Sequence, residues 1–148
     1  MTAPLTFTVP GVPVATARAG RHFNPTSGKT HSFTPPKTRN FQALARLSFM
    51  GAYPDFIPMT GPIQMRLEIY MPIPSSMKKA ERIIAEENEL VVYHIKKPDG
   101  KNIRWGVEDA LEGVAFVNDS QVCMYSDVKT YSSRPRVEIT IQQLGKGK

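Results

Sequence analysis

The sequence predicts an α+β domain, a small mixed β-sheet flanked by two or three helices. Residues 63–71 alternate apolar and polar side chains without a break, the period-two signature of a strand with one face buried. Residues 121–130 and 136–144 alternate in the same way. Elsewhere apolar residues recur every three or four positions, as a helix requires. At 148 residues the chain fits one domain with a single core, so residues 1–148 are read as one unit, without an internal repeat.

In order, Leu5, Phe7 and Val9 alternate with Thr6 and Thr8, a first strand that Pro10, Gly11 and Pro13 end. Residues 15–33 read as a long basic loop or hairpin turning at NPTSGK. A helix is expected after Thr34 as N-cap, with Pro35 and Pro36 in its first turn, where a missing N–H costs nothing. Phe41, Leu44, Ala45 and Ser48 recur along it, and it should stop near Gly51. In the next strand Ile63, Met65, Leu67, Ile69 and Met71 share a face.

Ser75 or Ser76 can cap a second helix, whose thin stripe of Met77, Ala80 and Ile84 places it at the periphery. Residues 90–95 suggest an edge strand. A third helix runs from about Lys101 to Glu112, with Ile103, Val107, Ala110 and Leu111 inward and Gly113 as its C′ residue. Lys101, Trp105 and Asp109 project together from another side. The last two alternating segments, joined at 132–135, read as a C-terminal hairpin. The closing GKGK, residues 145–148, is expected to be disordered.

The net charge is +6, and its placement matters more than its size. Residues 1–54 hold Arg18, Arg21, Lys29, Lys37, Arg39 and Arg46 and no acid, whereas acids and bases balance from Asp55 onward. A basic patch beside His22, Phe23, His31 and Phe33 is the footprint expected for a nucleic-acid partner. No apolar run approaches the roughly 18 residues of a membrane span. The single Cys123 excludes an internal disulfide and a cysteine-based zinc cluster. With no signal peptide visible, a cytoplasmic location is expected.

Residues 96–121 bring Asp99, Glu108, Asp109, Glu112 and Asp119 close in sequence. Two or three carboxylates can hold Mg²⁺, which stabilises charge on phosphoryl oxygens and makes water nucleophilic. For Asp99 and Asp119 to meet, the chain must fold back after the helix. The same acids have structural readings: Asp99 as an N-cap or turn residue, Asp119 as an Asx turn, Asp109 and Glu112 on a solvated face. The three histidines show no metal-ligand spacing.

The segment also resembles the RusA-like family of Holliday-junction resolvases, whose signature is approximately K-P-D-x-D-N-L-x-K-x-x-x-D-A-L followed by D-D-x-Q-V. Lys97, Pro98, Asp99, Asn102, Asp109, Ala110 and Leu111 fall in register, then Asp119, Gln121 and Val122. The turn at Gly11 and Pro13, the FTPPKT run and the MPIP strand end are similar too. The resemblance implies a homodimer that binds four-way DNA junctions and cuts them with Mg²⁺, or Mn²⁺, in recombination and repair, in a phage or prophage setting. It assigns metal binding to Asp99 and Asp119, with Asn118 at the first Asp of the pair, and catalysis to Asp99, Asp109 and Asp119. DNA contacts are expected from Arg18, Arg21, Lys29, Lys37, Arg39, Lys96 and Lys97. Lys101 stands where the family has its second metal-binding Asp, and Trp105 where it has a catalytic Lys. Two readings therefore stay open. In one, the chain is an active endonuclease with Lys101 on the scissile phosphate; in the other, it binds branched DNA without cutting it. A dimeric domain that binds no DNA is the bland alternative.

Overall fold

The computed structural model describes residues 2–16 and 20–148, with the side chains of Gly20 and Arg21 excepted. The elements are β1 (Leu5–Pro10), β2 (Gly20–Asn24), β3 (Lys29–Phe33), α1 (Pro36–Ala52), β4 (Ile63–Pro72), α2 (Lys79–Glu87), α3 (Gly100–Leu111), β5 (Val122–Ser132) and β6 (Arg136–Gln143). One 3₁₀ turn, Asp119–Gln121, precedes β5. The architecture is α+β, as the patterning predicts.

The main sheet runs β1-β6-β4-β5, with β4 and β5 parallel and the other pairs antiparallel. The expected C-terminal hairpin does not form, because β4 lies between β5 and β6. A connection through Ser133, Arg134 and Pro135 is long enough to step over one strand, roughly 10 Å at the usual interstrand spacing. The most apolar strand thereby takes a central position: Ile63, Met65, Leu67 and Ile69 are completely buried. They join Phe7 and Val9 of β1, Phe41, Ala45 and Phe49 of α1, and Ile103, Val107, Ala110 and Leu111 of α3 in one core. The other sheet face is polar, with the Arg136 guanidinium 3.9 Å above the Tyr70 ring and paired to Glu89 and Glu138.

Several boundaries differ from the expected ones. Pro35, not Thr34, is the α1 N-cap, and no side chain caps it. The buried α1 residues are Thr38, Phe41, Ala45 and Phe49, a 3-4-4 spacing that leaves Leu44 exposed. Helix α2 starts after Lys78 rather than at the serines, and buries Ala85 while Ala80 and Ile84 face outward. It is peripheral, as expected. Residues 90–95 make a single bridge, Tyr93 to Thr130, instead of a strand. Leu90 at φ 65° turns the chain just before it. The turn after α3 follows the expected geometry, with Gly113 at φ 86°. The terminal segment 145–148 lies beside Pro62 at Gly147.

Among the described residues, strands β2 and β3 pair only with each other, and every residue of β3 is exposed. The chain reaches this hairpin from α3: Thr16 N–H donates to the Asn102 carbonyl at 3.0 Å. Helices α1 and α3 lie side by side with their N-termini at the same end. Phe41 packs beside Gly106, and Arg46 reaches the Glu112 carbonyl.

Candidate nucleic-acid and metal site

Helix α3 has a basic end and an acidic end. At its start, Lys129 Nζ donates to the carbonyls of Lys96 and Pro98 at 2.6 and 2.5 Å. That bond fixes the loop's backbone while the Lys96 and Lys97 side chains remain exposed. Burial pulls the Lys129 ammonium down, and the nearby Asp99 carboxylate opposes that shift. Asp99 is the α3 N-cap residue but makes no side-chain cap bond. Lys37 and Arg39, exposed at the start of α1, lie at the same end, as does the root of the hairpin that carries Lys29. Arg18 falls outside the described residues, and only the backbone of Arg21 is described.

Midway along α3, Lys101, Asn102, Arg104, Trp105, Glu108 and Tyr125 line a cleft of about 480 Å³. Arg104 pairs with Asp127, approaches Glu108 at 3.4 Å, and stacks 4.4 Å from the Tyr125 ring centre. Glu108 is pushed up from its ordinary value chiefly by burial; Arg104 opposes the shift, and Asp119, Asp109 and Asp127 reinforce it. Its Oε1, the oxygen that Arg104 approaches, accepts no hydrogen bond among the described residues. Asp127 is likewise raised by burial against the pull of Arg104. Trp105 remains 55% exposed at the cleft wall.

At the far end, ligand oxygens of Asp109, Glu112 and Asp119 lie within 4.8 Å of one another. Asp109 and Glu112 are neighbours on α3 by their i, i+3 spacing. Gly113 then reverses the chain, and its N–H donates to Phe116 O. Asn118 and Gln121 close a reciprocal capping box that places Asp119 over the helix end. Gln121 also ties this turn to the Met59 and Gly61 carbonyls. Burial first, then Asp119 and Glu112, push the Asp109 carboxyl up. No base lies in the last turn of α3 itself, and the acids sit at the negative pole of the helix, where Arg46 of α1 reaches the Glu112 carbonyl at 3.4 Å. Carboxylates gathered against both repulsion and dipole are a functional-site signal. Ligands of a hard cation such as Mg²⁺, at 2.0–2.1 Å, stand up to about 4 Å apart, so one ion would draw these oxygens closer together than their present separations of up to 4.8 Å.

Asp109 and Asp119 are thus brought together, but Asp99 is not with them. Ten residues of helix, roughly 15 Å of rise, separate Asp99 from Asp109. The chain does fold back, but along β5, which sets Lys129 beside Asp99 instead of Asp119. Asn118 Oδ1 accepts from Ser120 N–H at 2.9 Å within its cap. Lys101 lies in the cleft with Trp105, away from the acid cluster. Glu112 joins the carboxylates, and its i, i+3 relation to Asp109 was the available signal. Asp127 and Arg104 carry no such signal, since only the sheet register brings β5 against α3.

The fold and site define a class: an α+β domain with a carboxylate cluster at one end of α3 and exposed cations at the other. The family model for RusA endodeoxyribonuclease matches residues 10–142, and the chain belongs to that family. It is similar to the uncharacterized protein YqaN of Bacillus subtilis (strain 168), with 33% identity over 138 residues, 93% of this chain and 95% of that protein. Among the described residues, no helix is long and apolar enough to cross a membrane.

Proposed function

We propose that this protein is a metal-dependent, structure-selective endodeoxyribonuclease acting on four-way DNA junctions in recombination and repair, as a homodimer in the cytoplasm. The observation that carries the reading is the convergence of Asp109, Glu112 and Asp119 at one end of α3, with cations gathered at the other. These three carboxylates would hold Mg²⁺ or Mn²⁺. The ion, when bound, supplies charge stabilisation at the phosphoryl oxygens and a more acidic water. Lys29, Lys37, Arg39, Lys96 and Lys97, with Arg18 and Arg21, bind phosphates and orient the junction. Lys101 holds a phosphate at the mouth of the cleft. Asp99 acts with Lys129 to shape the loop bearing Lys96 and Lys97.

A second reading, junction binding without cleavage, is favoured by one observation: the cleft presents Lys101 and Trp105 where the family signature has an acid and a lysine. An end-labelled four-way junction incubated with Mg²⁺ or with EDTA separates the two. Symmetrical nicking that EDTA abolishes supports the nuclease. A stable shifted complex without nicks in either Mg²⁺ or EDTA supports the binder. No complex at low salt rejects both.

A further inference from the structure

We propose that the cleft beside Trp105 receives a nucleobase of the bound DNA that has left its stack, with the base lying against the exposed indole. This rests on the branched-DNA reading and adds which part of the DNA enters the protein. The cleft, at about 480 Å³, is within the usual range for small-ligand pockets. Its chemistry selects a base over a phosphate. Glu108 lines it, and Arg104 is already committed to Asp127, Glu108 and the Tyr125 ring. An anion entering between these groups would meet a carboxylate and a neutralised guanidinium. A base meets an open aromatic face in Trp105, 55% exposed, and can donate from an amino group to Glu108 or pair with the Asn102 amide. Lys101, exposed at the mouth, suits the phosphate beside that base. Only an unstacked base offers its face, and strand exchange at a branch point interrupts stacking. The site therefore favours branched over continuous duplex.

Trp105 is the sole tryptophan of the chain, so its emission reports on this cleft alone. The full-length protein is titrated with a four-way junction in EDTA, following tryptophan emission and the anisotropy of a labelled arm together. The expected result is quenching with the same midpoint as the anisotropy rise. Single abasic residues, placed in turn at the branch-point nucleotides, should restore emission at one or two positions. Trp105→Ala should weaken junction binding about tenfold or more while Trp105→Phe retains most of it, as loss and retention of a stacking face predict.

An anisotropy rise without quenching, or quenching that no abasic position relieves, overturns the base-receiving cleft and leaves the DNA-binding reading standing. Emission that follows protein concentration but not DNA assigns the ring to contact between copies and also overturns it. Absence of any anisotropy rise removes the branched-DNA reading and this inference with it.

Discussion

Gly106 and Thr16 touch where a side chain would not fit: a β-carbon at Gly106 would stand 2.8 Å from the Thr16 hydroxyl oxygen. This contact seats the root of the basic hairpin on α3. Gly106→Ala gains helix propensity, about 1 kcal/mol, but displaces Thr16. Stability measured by urea unfolding should change by no more than about 1 kcal/mol, while junction affinity falls several-fold. Adding Thr16→Ala should restore affinity, because it clears the clash.

Asp119→Asn and Glu112→Gln each remove a charged oxygen from the acid cluster. Junction cleavage should fall about a hundredfold or more, with binding in EDTA unchanged or slightly tighter because negative charge is lost. Asp99→Asn, outside the cluster, should cost much less cleavage. Equal losses at all three positions would contradict a cluster centred on Asp109, Glu112 and Asp119.

Arg104 opposes the rise that burial imposes on the Glu108 and Asp127 carboxyls. Arg104→Met leaves Asp127 and Glu108 without their cation, and burial then raises both carboxyls further. Neutral-pH stability should drop by about 2 kcal/mol, and the variant should recover part of it as the pH is lowered, because protonation removes the unpaired buried charge. Urea midpoints at pH 5 and 7.5 measure the difference.

The Glu89 carboxylate is held at about 2, below its ordinary 4.5, first by hydrogen bonds from Arg136, with burial opposing and Ser132 assisting. A depressed folded-state value contributes stability that is complete above pH 4.5 and is lost as the pH falls through about 2. Glu89→Gln should therefore flatten stability against pH in that window. With the side chain 37% exposed, solvent screening limits the neutral-pH loss to about 1 kcal/mol. Thermal unfolding at pH 2.5 and 7 tests both.

Local pattern carried most of this architecture. The alternation at residues 63–71, the C′ glycine at 113 and the basic hairpin are written in consecutive residues, and the structure follows them. What failed depended on distant neighbours. A four-residue stretch ending at Pro135 reads as a hairpin turn until β4, sixty residues upstream, is known to slip between the strands it joins. Ala80 and Ile84 fit a helical stripe, yet only packing decides that Ala85 is the buried residue. At the candidate site, spacing and family likeness singled out Asp109 and Asp119, and the structure brings these two side chains together. The distance of Asp99 from Asp119 was not legible, because it depends on the direction β5 takes beneath α3.

The strand order also bears on how the chain is made. Strand β1 has one neighbour, β6, and their register joins Leu5 to Ile141. Among these strands β1 is made before the others, and it lacks its strand partner until β6 is made. During synthesis α1 is its available cover, through the edge-to-face contact of Phe7 with Phe49. A nascent chain arrested before residue 136 should therefore depend on chaperones far more than the released protein does.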